Sequence, residues 1–92
     1  MLIRKDMNIL YAKVTEINAG YEGDRINALA LDPDHYYVVN HVDMGSSSTS
    51  IYLEHDRKSY NSVNFTFYTI VDGKHKEYDI FSDPNYNPYL QL

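Results

Sequence analysis

Phe65-Thr66-Phe67-Tyr68-Thr69-Ile70-Val71-Asp72-Gly73-Lys74-His75-Lys76-Glu77-Tyr78-Asp79-Ile80-Phe81 is the stretch that decides how this chain folds. Asp72-Gly73 stands between two β-rich runs, the signature of a two-residue type I′ hairpin turn in which both central residues take positive φ. Pairing outward from that turn sets Thr69 opposite Lys76, Phe67 opposite Tyr78 and Phe65 opposite Ile80. Phe65, Phe67, Tyr78 and Ile80 then share one face. Asn64, Thr66, Tyr68 and Ile70 share the other, against Phe81, Asp79, Glu77 and His75. A slip of one residue would invert the partition, so turn and core specify the same register.

The flanking sequence adds further strands. In residues 8–17, Leu10, Ala12 and Val14 alternate with Tyr11, Lys13 and Thr15, the pattern of a half-buried strand. Residues 18–24 form a loop whose two glycines permit positive φ. Residues 25–31 carry Ile26, Ala28, Leu29, Ala30 and Leu31, a spacing that fits a short strand or one helical turn; a strand is expected. Asp32-Pro33-Asp34 breaks the chain. Residues 35–44 read as the longest strand, with Tyr36, Val38, Val42 and Met44 towards the core and Asn40 the odd member needing a polar partner. In residues 50–54, Ile51 and Leu53 point inward and Tyr52 outward. The tail, with Pro84 and Pro88, is expected to turn and pack back through Tyr86, Tyr89 and Leu90. These elements predict an all-β fold: a small five- to six-stranded barrel or a strongly bent antiparallel sheet. A Src-homology-3-like barrel is the first choice and an oligonucleotide-binding-type barrel the second.

At 92 residues the chain is sized for one domain. Residues 1–6 read as a flexible leader before a single β domain over 7–92, with Met7 an alternative start. The absence of cysteine excludes disulfides and thiolate-bound metals and suits the cytoplasm. No apolar run approaches the ~20 residues of a membrane span. A net charge of -5 argues against general binding of nucleic-acid phosphates. The acidic residues are dispersed, as on an ordinary solvated surface.

Met44-Gly45-Ser46-Ser47-Ser48-Thr49-Ser50-Ile51-Tyr52-Leu53, Tyr60-Asn61-Ser62-Val63-Asn64-Phe65, Tyr78-Asp79-Ile80-Phe81 and Asn87-Pro88-Tyr89 together resemble small uncharacterised proteins of phages and prophages of Gram-positive bacteria. The likeness covers residues 36–90. It implies a cytoplasmic accessory protein and supplies no activity or site residue.

Several chemistries can be drawn on the chain, each against a plainer reading. His35, His41 and Asp43 share a strand face, with Asp32, Asp34, His55 and Asp56 close in sequence, and such groups can bind zinc or a harder cation. Their spacing matches no familiar ligand signature, and exposed strands routinely carry such residues. A Ser–His–Asp hydrolase would draw on Ser46 to Ser50, His41 and Asp43, but no Gly-x-Ser-x-Gly turn is present and the serines suit a loop. Gly20 and Gly23 fit no phosphate-binding pattern. Neither an enzyme nor a cofactor is expected.

Ten tyrosines, without tryptophan, are the strongest remaining signal. Tyr11, Tyr37, Tyr52, Tyr60 and Tyr68 have a parity or loop position outside the main core, and Tyr86 and Tyr89 sit in the C-terminal turn. Tyrosine favours recognition surfaces because a rigid ring covers area at low entropic cost. The plainer reading is that the rings pack on the sheet and point hydroxyls at water. The expected contact residues are Tyr37, Tyr52, Tyr60, Tyr68, Tyr86 and Tyr89, in a non-enzymatic module that binds a protein partner, including a second copy of itself as homodimer. The alternative is an acidic inhibitor of a host nucleic-acid-binding defence enzyme.

Overall fold

The Asp72-Gly73 turn forms as its sequence dictates: in the computed structural model, which describes residues 9–90, the two residues have φ of 52° and 78°. The expected leader 1–6 and the alternative start at Met7 lie outside the described residues. Six strands and one helix follow in chain order: β1 (Tyr11–Val14), α1 (Glu22–Leu29), β2 (Tyr37–Met44), β3 (Thr49–Leu53), β4 (Ser59–Asn61), β5 (Phe65–Val71) and β6 (Lys74–Glu77). Single 3₁₀ turns occupy Ser62–Asn64 and Ile80–Ser82.

The β5–β6 register is the expected one. Thr69 faces Lys76, and the Tyr78 amide extends the ladder by donating to the Phe67 carbonyl at 2.8 Å. The pairing of Phe65 with Ile80 does not form. Asp79 accepts the Phe81 amide on its side chain and turns the strand into a 3₁₀ turn. Ile80 is nonetheless fully buried, beside Phe65 and Phe67 in the same core.

All strand pairings are antiparallel, in the order β4-β3-β2-β1-β5-β6. No pairing joins β4 to β6, so the sheet is open and the closed-barrel expectation is corrected. The sheet is strongly bent instead. β4 and β5 stand four strand positions apart, ~19 Å on a flat sheet at ~4.8 Å per strand. Only the Ser62–Asn64 turn connects them, rising ~2 Å per residue. A flat sheet cannot be bridged so briefly, and the bend brings the rings of Tyr60 and Phe65 to 5.8 Å between centroids.

The concealed face carries Leu10, Ala12 and Val14, Ile51 and Leu53, and Phe65 and Phe67, each at its expected parity. β2 departs from expectation. A bulge between Val39 and His41 inserts one residue at Asn40 and switches the side-chain alternation. Val42 and Met44 face the core as read, but before the bulge it is Tyr37 and Val39 that point inward, and Tyr36 and Val38 point out. Asn40, which found no place in the period-two pattern, is the residue at the irregularity.

The strand expected at 25–31 is corrected to helix α1. Asp24, the third helical residue, accepts the Tyr21 amide at 2.9 Å, which satisfies one of the unpaired donors of the first turn, and acids there suit the helix dipole. Gly20 enters at φ +83°, and a Cβ there would lie 2.8 Å from the Asp24 carboxylate. Arg25 donates to the Gly20 carbonyl at 2.7 Å, and Asn61 of β4 donates to Asp24 at 3.0 Å. Helix and sheet are thus tied by polar contacts, while Ala28 and, just beyond the helix, Leu31 supply the apolar ones. Ile26 and Leu29 remain exposed on α1.

Candidate functional site

The dispersed acids have structural duties that composition conceals. Asp32, Asp56, Asn61, Asp79, Asp83 and Asn87 each accept the backbone amide two residues further on, at 2.8–3.1 Å. Each is a turn in which a short side chain stands in for backbone. Two of these carboxylates also take a phenol: Tyr60 donates to Asp56 and Tyr78 to Asp83. The hydrogen bonds from Tyr78 and the Asn85 amide hold Asp83 below the usual carboxylate range. Burial opposes the charge on Asp56, but the Tyr60 hydroxyl and the Lys58 amide outweigh it and the carboxyl is again lowered. The Tyr78 hydroxyl, bound to Asp83, is pushed up to about 12. Burial first, then Asp56, raises Tyr60.

These contacts sort the expected tyrosines. Tyr37 and Tyr60 are buried at 7% and 3% exposure and belong to the core, so neither is available as a contact residue. The Tyr37 hydroxyl accepts the Asp32 amide at 2.9 Å, while Tyr60 is anchored by Asp56. Tyr86 is half-buried against the core. Tyr52, on the outer side of β3, is half-buried with its ring 5.8 Å from that of His41. Tyr89 is 54% exposed and lines a cleft of about 580 Å³ with Val63, Phe81, Asn87 and the serine loop. Tyr68 lies elsewhere again. The six residues do not converge on one surface.

Tyr68 does belong to a cluster, on the face turned from the core. Tyr11 is flanked across the sheet by Val38 on β2 and Tyr68 on β5. Tyr36, just before β2, meets Tyr68 edge-on at 5.0 Å and stacks on His75 of β6 at 3.6 Å with 7° between planes. Tyr11 meets His75 edge-on at 5.1 Å, and Lys13 Nζ stands 4.8 Å from the centre of the Tyr36 ring. The three tyrosines are half-buried and His75 is exposed. Aromatic pairs contribute about 0.5–1.5 kcal/mol each beyond area burial, and an exposed cation over a ring about 0.5–1 kcal/mol. The rings are therefore held in place before anything binds, which lowers the entropic cost of a contact.

Sequence reading found part of this surface. Strand parity placed Tyr11 and Lys13 outward, and the hairpin register put Tyr68 and His75 on one face. The bulge at Asn40 hid Tyr36, which simple alternation assigned to the core. Among the described residues, no group of three or more His, Asp or Glu is placed to hold a metal ion, and no helix is long and apolar enough to cross a membrane.

Comparison with known proteins gives two matches. The model of the family described as bacteriophage T4 protein Y07B matches residues 9–92. A protein of Enterobacteria phage T4, described as an uncharacterized 11.2 kDa protein in the segB-ipI intergenic region, is 36% identical over 80 residues, 83% of this chain and 84% of its own length. The resemblance to small phage proteins is thereby supported and extended to β1 and α1. Its assignment to phages of Gram-positive bacteria is not supported, since this relative comes from a phage of enterobacteria. No solved structure matches the chain.

Proposed function

This chain belongs to the bacteriophage T4 protein Y07B family, and from that premise we propose that it is a non-enzymatic, cytoplasmic phage accessory protein that binds a protein partner. The contact surface is the ring cluster of Tyr11, Tyr36, Tyr68 and His75. The observation that carries this reading is the mutual packing of four rings on the sheet face turned from the core. Rings with apolar bodies and polar tips, fixed in advance, are what protein interfaces select.

The strand order supports a Src-homology-3-like reading of the fold. Four strands run in succession and the fifth returns beside the first after a single 3₁₀ turn, giving β4-β3-β2-β1-β5. β6 extends that order, and α1 fills the wide loop after β1. The alternative of an acidic inhibitor has less support, because Asp24, Asp32, Asp56, Asp79 and Asp83 are engaged in turns and caps instead of being presented together.

A second copy of the chain is the first partner to test, by sedimentation velocity, followed by crosslinking and affinity capture from phage-infected cells. Tyr68→Ala should weaken the association roughly thirtyfold, the effect of losing an interface hot spot of about 2 kcal/mol. Circular dichroism should show the fold retained. A Tyr11→Ala/Tyr68→Ala protein that is folded and associates as tightly as the parent would refute the proposal.

A further inference from the structure

A second surface gathers polar side chains apart from the turns and caps described above. Asn40, His41, Asp43, Tyr52 and Arg57 line a cleft of about 340 Å³ on the outer side of β2 and β3. Two backbone irregularities deliver them. The bulge at Asn40 re-aims the strand so that His41 pairs with Tyr52 and Asp43 with Ser50. Arg57 takes φ 63°, a conformation that disfavours residues with a Cβ, and its amide donates to the Leu53 carbonyl at 2.9 Å.

Asn40, His41, Asp43 and Arg57 are exposed and Tyr52 is half-buried, and the contact within the group is that of the His41 and Tyr52 rings, 5.8 Å between centroids. The contrast with the adjacent turn is sharp: Asp56 takes both the Lys58 amide and the Tyr60 hydroxyl. A guanidinium and a carboxylate thus open into one small cleft.

That combination restricts the ligand. A bare anion would satisfy Arg57 and be repelled by Asp43; a bare cation would meet the reverse. An apolar molecule would leave five polar groups desolvated without partners. A compact dipolar molecule satisfies both charges.

The geometry points to a site for a small zwitterion of the α-amino-acid class, its carboxylate on Arg57 and its ammonium on Asp43. Arg57 offers a fork of donors matched to a carboxylate, and Asp43 accepts only. His41, Asn40 and the Tyr52 hydroxyl supply the remaining polar contacts. This site is separate from the ring cluster and does not depend on the function proposed for it.

The test is a titration of the ¹⁵N-labelled full chain with L-alanine, followed by amide chemical shifts. Acetate and methylammonium, each carrying half of the dipole, are titrated in parallel. L-Alanine should produce saturable shifts at residues 40, 41, 43, 52 and 57, with either half-probe bound at least tenfold more weakly. Arg57→Gln and Asp43→Asn should each reduce alanine affinity about tenfold or more, as expected for a lost hydrogen bond to a charged group. Both residues are exposed, so both variants should keep the parent spectrum elsewhere. The absence of saturable shifts in the folded parent would overturn the inference. So would acetate binding as tightly as alanine with Asp43→Asn without effect, which would mark an anion site only.

Discussion

Replacing Asn64 tests how the first loop is attached to the sheet. Its side chain is 1% exposed, and Nδ2 donates to the carbonyls of Glu16 at 2.6 Å and Ala19 at 3.0 Å. Its own carbonyl accepts the amides of Thr15 and Glu16, so one residue secures the whole exit from β1 towards α1. Oδ1 is buried without a partner among the described residues. In Asn64→Ala, two hydrogen bonds of about 1 kcal/mol each are lost. A small void adds about 1 kcal/mol, and removal of the unsatisfied Oδ1 returns about as much. The expected net loss is about 2 kcal/mol, or ~8–16 °C in Tm for a domain of this size. Asn64→Asp should be worse, about 4 kcal/mol at neutral pH, because a buried carboxylate would face two carbonyls and have no donor. Burial raises the folded-state pKa of that new carboxyl, so its penalty is fully present well above that value and shrinks as acid protonates it. Urea denaturation followed by circular dichroism at neutral and mildly acidic pH measures all three proteins. An alanine variant within about 0.5 kcal/mol of the parent, or an aspartate variant as stable as the alanine one at neutral pH, would refute the assignment of those two bonds.

Two further outcomes follow from the turns and the phenol–carboxylate pairs. Gly73 has φ +78°, and a Cβ there would meet nothing within 4 Å, so Gly73→Ala should cost only the backbone penalty of about 1–2 kcal/mol in urea denaturation; a loss as large as a core truncation would contradict the open turn. The carboxyls of Asp24, Asp56 and Asp83 are lowered in the folded state, so their contribution is present above the unfolded value near 3.8 and is lost as pH falls through the folded values. Tyr78 runs the other way: its contribution is intact below pH 10 and fades as pH rises towards 12. Tyr78→Phe should flatten both limbs of the stability–pH curve, and unchanged limbs would show that the Asp83 contact is not formed in solution.

What the sequence revealed was what local rules control. Asp72-Gly73 admits one register, and that register placed Phe65, Phe67 and Tyr78 without reference to the remainder of the chain. β1 and β3 alternate cleanly, so their inner faces were legible too. β2 was half legible because period two holds only between irregularities, and nothing in Val39-Asn40-His41 announces a bulge. Tyr36 and Tyr37 therefore exchanged roles. Helix α1 was missed because its apolar residues do not form one stripe: Ala28 is buried whereas Ile26 and Leu29 face outward. The available cue was the acid three residues beyond Tyr21, which caps the first turn. The burial of Tyr60 could not be read from β4 alone, since it depends on how far the sheet bends.

The outer ring cluster was legible strand by strand but not as a unit. Its members come from β1, β5, β6 and the approach to β2, and only the strand order brings them together. Seven residues of alternation say which way Tyr68 points; they do not say that Tyr36 and His75 will stack above the same strands. The cleft holding Arg57 was still less accessible, because it rests on a bulge and on one positive φ.

Along the tail, the side-chain turns at Asp79, Asp83 and Asn87 recur every four residues. A segment shaped by such a staircase takes its course from its own steps and is moored to the core only where Ile80 and Tyr86 turn inward. The exposed residues beside the steps, Phe81 and Tyr89, are therefore free to diverge from one phage to the next while the path stays the same. Natural variation at the rim of the adjoining cleft should collect at those positions and spare the three that build the stairs.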